Sequence, residues 1–66
     1  MRPGLSPRER QVLRLIASGQ GDRQVGRALE ISERTAKTHA ANVMKKLEAA
    51  TRAHAVDIGW RRGLLP

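Results

Sequence analysis

One segment of the chain, residues 30–47, has two faces of opposite character when it is placed on a helix. Its apolar side chains recur at the spacing of a helix that packs on a small core. They are Ala36, Ala40, Val43 and Leu47. The other face carries three cations, a hydroxyl and a methyl, and it consists of Arg34, Lys37, Thr38, Ala41 and Lys45. A helix of this kind can be held by a core and lie against a polyanion, and the DNA major groove is wide enough to admit it.

The length and charge of the chain restrict the alternatives. Its 66 residues suffice for one small domain. The formal net charge of +7, from 13 Lys and Arg against 6 Asp and Glu, favours an anionic partner such as nucleic acid. Cysteine is absent, which excludes a disulfide scaffold and a zinc finger. Because Trp60 is the only aromatic residue, recognition of single strands by base stacking is disfavoured.

Membrane insertion, secretion and catalysis find no support in the sequence. No apolar run approaches the roughly 18 residues of a membrane span, and the N-terminus lacks the apolar segment of a signal peptide. We therefore expect a cytoplasmic protein with no membrane partner. His39 and His54 have no third ligand nearby, so we expect no metal and no cofactor. No nucleophile and base, or pair of carboxylates, has the spacing of an active site, so we do not expect an enzyme.

Four helices and no strands are predicted, which makes the fold all-α. The helices are expected at about 7–18, 23–29, 33–48 and 52–62. Ser6, Pro7 and Glu9 form the capping signature of the first helix. Asp22 and Ser32 are the expected N-caps of the second and third helices.

The two ends of the chain are expected to add little to this bundle. Residues 1–4 are predicted to be disordered, as an expression remnant or the stump of an upstream connection. Residues 64–66 are expected to trail off after Gly63. Trp60 could cap the small core or, with Asp57, Ile58 and Arg61, form a dimer surface, and the sequence leaves both open.

The second and third helices, joined by a tight turn, are typical of a helix-turn-helix. The first turns of the third helix would enter the groove, so Arg34, Lys37 and Thr38 are expected nearest the bases. Ala41 is short enough for close approach and could touch a thymine methyl. The expected phosphate contacts from position alone are Arg23, Ser32, Thr35, His39 and Lys45. Arg23 and Ser32 lie where the free N–H groups at helix starts can also bind phosphate.

Several motifs together resemble the LuxR-type (GerE-like) DNA-binding domain of bacterial transcription regulators. They are the stretch LSPRERQVL from Leu5 to Leu13, the pair Ile31 and Ser32, the Thr-x-Lys-x-His pattern from Thr35 to His39, and the run from Lys45 to Leu47. The resemblance covers roughly residues 5–65, and we expect residues 5–66 to form one such domain.

This resemblance implies a four-helix regulator in which Lys37, Thr38 and Ala41 face the bases. It also implies that Thr35 and Lys46 lie near the DNA backbone, and that the fourth helix is the dimer contact. Domains of this type usually follow a receiver or ligand-sensing domain in a longer chain, which implies that domain and RNA polymerase as further partners.

The chain departs from the family pattern at several positions. Gly26, Ala36 and Gly59 replace larger or better helix-forming residues, and a helical Gly costs about 0.5–1 kcal/mol relative to Ala. We therefore expect a domain less stable than a typical member. Ala41 replaces a longer polar residue of the family, so the family's sequence preference does not transfer.

Three functions compete at this point. The first is sequence-specific binding of double-stranded DNA as a homodimer, at least on DNA, with the third helix in the major groove. The second is a helix-turn-helix related to region 4 of sigma factors that acts mainly through protein contacts. The third is nonspecific binding of membrane or RNA through charge alone. The pair Thr38 and His39 and the fourth helix favour the first function.

Overall fold

A computed structural model describes residues 4–66 as four α-helices. They are Pro7–Ala17 (α1), Asp22–Leu29 (α2), Glu33–Leu47 (α3) and Arg52–Arg61 (α4). No strand occurs within this range, so the all-α prediction is confirmed. Each predicted helix differs from the observed one by a single residue at one end. The prediction of disorder for residues 1–4 lies outside the described residues except for Gly4, which is exposed and precedes α1.

Local capping signals explain where α1 begins and ends. The Ser6 hydroxyl accepts a hydrogen bond from the Glu9 backbone N–H at 3.1 Å, and Glu9 Oε1 accepts one from the Ser6 N–H at 2.8 Å. This reciprocal pair is the predicted capping box. The helix stops at Ala17, one residue earlier than predicted, because Gly19 adopts a φ of 90° that turns the chain away.

The start of α2 corrects one prediction. Asp22 is not the N-cap but the first helical residue, and Gly21 occupies the cap position. Gly21 has no side chain to cap the helix, but its own N–H is satisfied by donating to Gln24 Oε1 at 2.9 Å. The Asp22 carboxylate pairs with the Arg52 guanidinium at the start of α4. Asp22 therefore links the start of α2 to the start of α4 through an ion pair.

The turn between α2 and α3 depends on close backbone packing. Glu30 takes the left-handed conformation with a φ of 56°, and the Ile31 N–H donates to the Gly26 carbonyl at 2.9 Å. A Cβ atom on Gly26 would lie 2.8 Å from the Ile31 carbonyl oxygen. Glycine is thus required here for close approach, which corrects the view that Gly26 only weakens its helix. Ser32 caps α3 as predicted, accepting from the Thr35 N–H at 3.0 Å.

The core is centred on α3, which packs against the other three helices. All four residues of its apolar stripe are buried, as the spacing predicts. The buried apolar residues are Leu5, Val12, Leu13, Ile16, Val25, Ala36, Ala40, Val43, Leu47, Ala55 and Leu65. Ala17 on α1 and Ala28 on α2 are apolar but exposed. Because the stripe of α3 is clamped, its opposite face is turned to solvent.

The C-terminal residues do not trail off, so that prediction was wrong. Leu65 lies in the core with 6% of its surface exposed. The Leu64 N–H donates to the Gly59 carbonyl at 2.8 Å, and Arg14 Nε donates to the Pro66 carbonyl at 3.1 Å. A Cβ on Gly59 would lie 3.0 Å from Leu13 Cδ2 and 3.1 Å from Leu65 Cδ1. The glycine makes room for this returning tail.

Candidate nucleic-acid interface

The outer face of α3 is exposed along its length. Arg34, Lys37, Thr38, Ala41 and Lys45 are all exposed there, so the structure brings together the predicted base-reading residues and Lys45. Within residues 4–66 none of the three cations on this face forms a salt bridge. Their charges are therefore available to a polyanion. Glu33 is exposed one turn before Lys37, so one acidic side chain lies beside the first turn of this surface.

The hydroxyl of Thr38 is already engaged within the helix. Its Oγ1 donates to the Arg34 carbonyl at 3.1 Å, which uses its single hydrogen. The lone pairs of the oxygen and the methyl group remain available. At a base edge Thr38 can therefore accept from an adenine or cytosine amino group, or contact a thymine methyl.

Two hydroxyls at the start of α3 have different hydrogen-bonding capacities. Ser32 Oγ accepts from the Thr35 N–H and donates to Thr35 Oγ1 at 2.9 Å, so its hydrogen is engaged. Thr35 still has its own hydroxyl hydrogen and can donate it to a phosphate oxygen. Of the two, Thr35 is the better phosphate donor, and Ser32 serves first as the cap. Both are exposed, as is Arg23, while His39 is half-buried.

Lys46 lies on the α1 side of α3 rather than on its outer face. Its Nζ donates to Glu9 Oε1 at 2.9 Å, and Glu9 is only 7% exposed. Burial raises the pKa of Glu9, but the hydrogen bonds from Lys46 and from Ser6 outweigh it and leave the pKa below its usual value. Of the predicted phosphate contacts, Lys46 is the one that forms an ion pair within residues 4–66.

The sequence predicts a role for Glu9 only in the capping box, and its pairing with Lys46 of α3 was not predicted. A signal was present, because Glu9 precedes Val12, Leu13 and Ile16 at helical spacing and so belongs to the buried stripe of α1. His54 was also missed as a structural residue. Its Nδ1 accepts from the Ala50 N–H at 3.1 Å and holds the turn before α4.

The predicted dimer residues lie on α4 in different environments. Trp60 is 56% exposed, so its ring is not enclosed in the core. Ile58 is half-buried, and Asp57 pairs with Arg61 within the helix at 3.0 Å. Trp60 borders a groove of about 250 Å³ between the end of α1 and the tail. Its exposed ring is the feature of this surface that a partner could cover.

Two further features, a membrane-spanning helix and a cluster of metal ligands, are absent from residues 4–66. No helix there combines the length and the apolar character needed to cross a bilayer. No three His, Asp or Glu side chains in this range come together to hold a metal ion.

A short helix, a tight turn and a capped helix with an exposed cationic face define a helix-turn-helix domain. The family model for bacterial regulatory proteins of the luxR family, GerE, matches residues 3–58. The chain belongs to this LuxR/GerE family of transcription regulators, and it is a DNA-binding domain of that type. The resemblance inferred from the motifs is thereby confirmed.

Relatives and a solved structure agree with this assignment. The transcriptional regulatory protein FixJ of Bradyrhizobium diazoefficiens is 39% identical over 92% of this chain and 30% of its own length. The nitrate/nitrite response regulator NarL of Escherichia coli K12 is 41% identical over 77% of this chain and 24% of its own. The structure of the transcription factor GerE superposes with a TM-score of 0.87 at 31% identity, covering 94% of this chain and 92% of that one. The chain spans less than a third of the length of FixJ or NarL.

Proposed function

We propose that this domain binds double-stranded DNA sequence-specifically, with α3 inserted in the major groove. The observation that carries the proposal is the exposed outer face of α3, whose three cations form no salt bridge within residues 4–66. The helix behind this face is held rigidly by its buried stripe and its Ser32 cap. A fixed helix with available charges can be inserted as a unit, which is the docking geometry of helix-turn-helix domains.

The residues of the face have distinct proposed roles. Arg34 and Lys37 donate to the O6 and N7 acceptors of guanine, the commonest specific contact in the major groove. Thr38 accepts from a base amino group, and Ala41 lets the helix backbone approach a thymine methyl. Thr35, His39, Lys45 and Arg23 contact phosphates, which supply affinity and salt dependence but not sequence information. The Ser32 backbone adds a donor at the helix start.

We further propose that two copies bind together through α4. The exposed ring of Trp60 supports this, because a large aromatic side chain at an interface gains more from burial than a small one. Ile58, Asp57 and Arg61 complete the proposed contact. Two-fold symmetric binding predicts two half-sites about one helical turn apart.

The proposed setting is a longer cytoplasmic regulator. The relatives are three to four times longer than the matched segment, and NarL is named a response regulator. This supports a receiver or sensor domain elsewhere in the same protein. RNA polymerase is the proposed second partner of the DNA-bound regulator.

Selection of bound sequences from a random duplex pool tests this function. We expect a motif made of two related half-sites. Replacing Lys37 with Ala should weaken binding to the selected duplex by about 1–3 kcal/mol and relax the preference at one base pair of each half-site. The Arg10→Ala variant is the matched control, because it removes one exposed cation from α1. Failure to select any motif would instead favour a helix-turn-helix that acts through protein contacts.

A further inference from the structure

The last turn of α3 carries two neighbouring lysines whose ammonium groups have different environments. Lys45 is exposed and has no ion-pair partner within residues 4–66. Lys46 Nζ lies 2.9 Å from Glu9 Oε1, with 38% of the Lys46 side chain and 9% of the Glu9 side chain exposed. The two residues have the same charge and adjacent positions, yet only Lys46 forms an ion pair within residues 4–66.

The Glu9 carboxylate connects the two helices through a single oxygen. Oε1 accepts both from the Ser6 N–H at 2.8 Å and from Lys46 Nζ. Glu9 therefore links the cap of α1 to the last turn of α3. Lys46 is the one cation that pairs with it among the residues described.

A transfer of Lys46 from Glu9 to a phosphate would be unfavourable. It would leave a nearly buried carboxylate without its cation, and an unpaired buried charge costs far more than an exposed ion pair gains. The pair also has no net charge. A phosphate beside it would displace fewer counterions than a phosphate beside the free ammonium of Lys45.

We propose that Lys46 is a positioning residue that acts through Glu9, and that Lys45 supplies the phosphate contact at this end of α3. The inference rests on the proposed DNA binding and deepens it. It departs from what the family resemblance implies for Lys46. The pair holds the last turn of α3 against the start of α1, and this fixes the angle at which α3 presents its outer face.

The salt dependence of duplex binding distinguishes the two lysines. Binding of a short mixed-sequence duplex is measured at several salt concentrations, at a temperature where every variant is fully folded. Each phosphate contact contributes about 0.9 to the slope of log affinity against log salt. Lys45→Met should make this negative slope less steep by about 0.9. A fourfold rise in salt would then weaken the wild type about 3.5-fold more than this variant.

Lys46→Met should give a different result. We expect weaker binding by the same factor at every salt concentration, so that its line runs parallel to that of the wild type. Lys46→Arg keeps a donor for Glu9 and should restore the wild-type affinity. A change of stability alone would not weaken binding by a fully folded variant, so this readout is specific to positioning.

Unfolding in urea provides the second measurement, and it needs no DNA. Glu9→Gln, Lys46→Met and the double variant form a thermodynamic cycle. The loss of unfolding free energy in the double variant should be smaller than the sum of the losses in the two single variants. In the same cycle with Lys45→Met in place of Lys46→Met, the two losses of unfolding free energy should add.

Three results would overturn the inference. One is a slope lowered by Lys46→Met as much as by Lys45→Met, and another is wild-type affinity of the folded Lys46→Met variant. The third is an additive cycle between Glu9 and Lys46. Failure of the proposed function would look different, because neither Lys37→Ala nor Lys45→Met would then alter DNA binding while the cycle still showed coupling.

Discussion

At Gly26 and Gly59 the absence of a side chain lets two parts of the chain pack closely. Beside Gly26 the neighbour is backbone, since an added Cβ would lie 2.8 Å from the Ile31 carbonyl oxygen. Beside Gly59 the neighbours are the side chains of Leu13 and Leu65, at 3.0 to 3.2 Å. The expectation of low stability therefore stays a prediction, but its basis changes, because neither glycine is merely a poor helix former.

The first prediction compares these two glycines. Gly26→Ala should lower the free energy of unfolding by about 1–3 kcal/mol, because the turn backbone must move to relieve the clash. Gly59→Ala should cost less, because leucine side chains can shift by a few tenths of an ångström. Urea denaturation of both variants tests the order. A stabilised Gly26→Ala variant would show that the turn is not packed as described.

At the level of secondary-structure elements, α1 and α3 are joined by an ion pair that requires the carboxylate of Glu9 to be ionised. Burial opposes ionisation of Glu9, but the hydrogen bonds from Lys46 and Ser6 prevail and lower its pKa in the folded state below the ordinary value of a glutamate. A group with a lowered folded pKa stabilises the fold above its unfolded pKa. That stabilisation is lost as the pH falls through the folded value.

The second prediction concerns acid unfolding. The wild-type domain should lose stability as the pH falls below about 4.5, and Glu9→Gln should reduce this dependence because its amide does not titrate. At neutral pH the variant should be less stable by about 1.5–3 kcal/mol, the range for a hydrogen bond to a charged group. Unfolding by urea at a series of pH values measures both effects.

Glu48→Gln is the control for this experiment. Glu48 is exposed at the end of α3 and forms no salt bridge in residues 4–66. If Glu9→Gln showed the same pH dependence as the wild type, the carboxylate would not be coupled to folding.

Local signals in the sequence account for the elements better than for the contacts between them. The capping box of Ser6 and Glu9 and the apolar stripe of α3 are encoded by residues a few positions apart, and both were predicted. The pair Glu9 and Lys46 joins residues 37 positions apart, and the return of the tail onto Gly59 depends on how α1 and α4 pack. Spacing along one helix carries no information about such partners. For this reason the outer face of α3 was predicted, while the ion pair between Lys46 and Glu9 was not.

At the level of the whole molecule, the exposed Trp60 and the net charge of +7 bear on assembly. Two cationic domains repel each other in free solution, and DNA between them reduces that repulsion. A modest apolar contact through α4 can then suffice on DNA while failing to hold a dimer without it. The proposed dimer is consistent with a small domain that has few apolar residues to spare for an interface.

The third prediction tests this assembly. Trp60→Ala should reduce cooperative binding to a duplex with two half-sites, because the ring is the main apolar group of the proposed contact. Binding to a duplex with one half-site should not change, and this serves as the control. Sedimentation of the complexes gives the stoichiometry. Equal loss on both duplexes would place Trp60 in the fold or the DNA contact rather than between copies.

The central claim is that the outer face of α3 is the surface that meets DNA. Mapping of amide chemical-shift changes on titration with a duplex tests it most directly. We predict that the largest changes cluster between Arg34 and Lys46, with smaller ones at the start of α2. Changes concentrated on α4 or on the outer side of α1, with α3 unaffected, would contradict the claim.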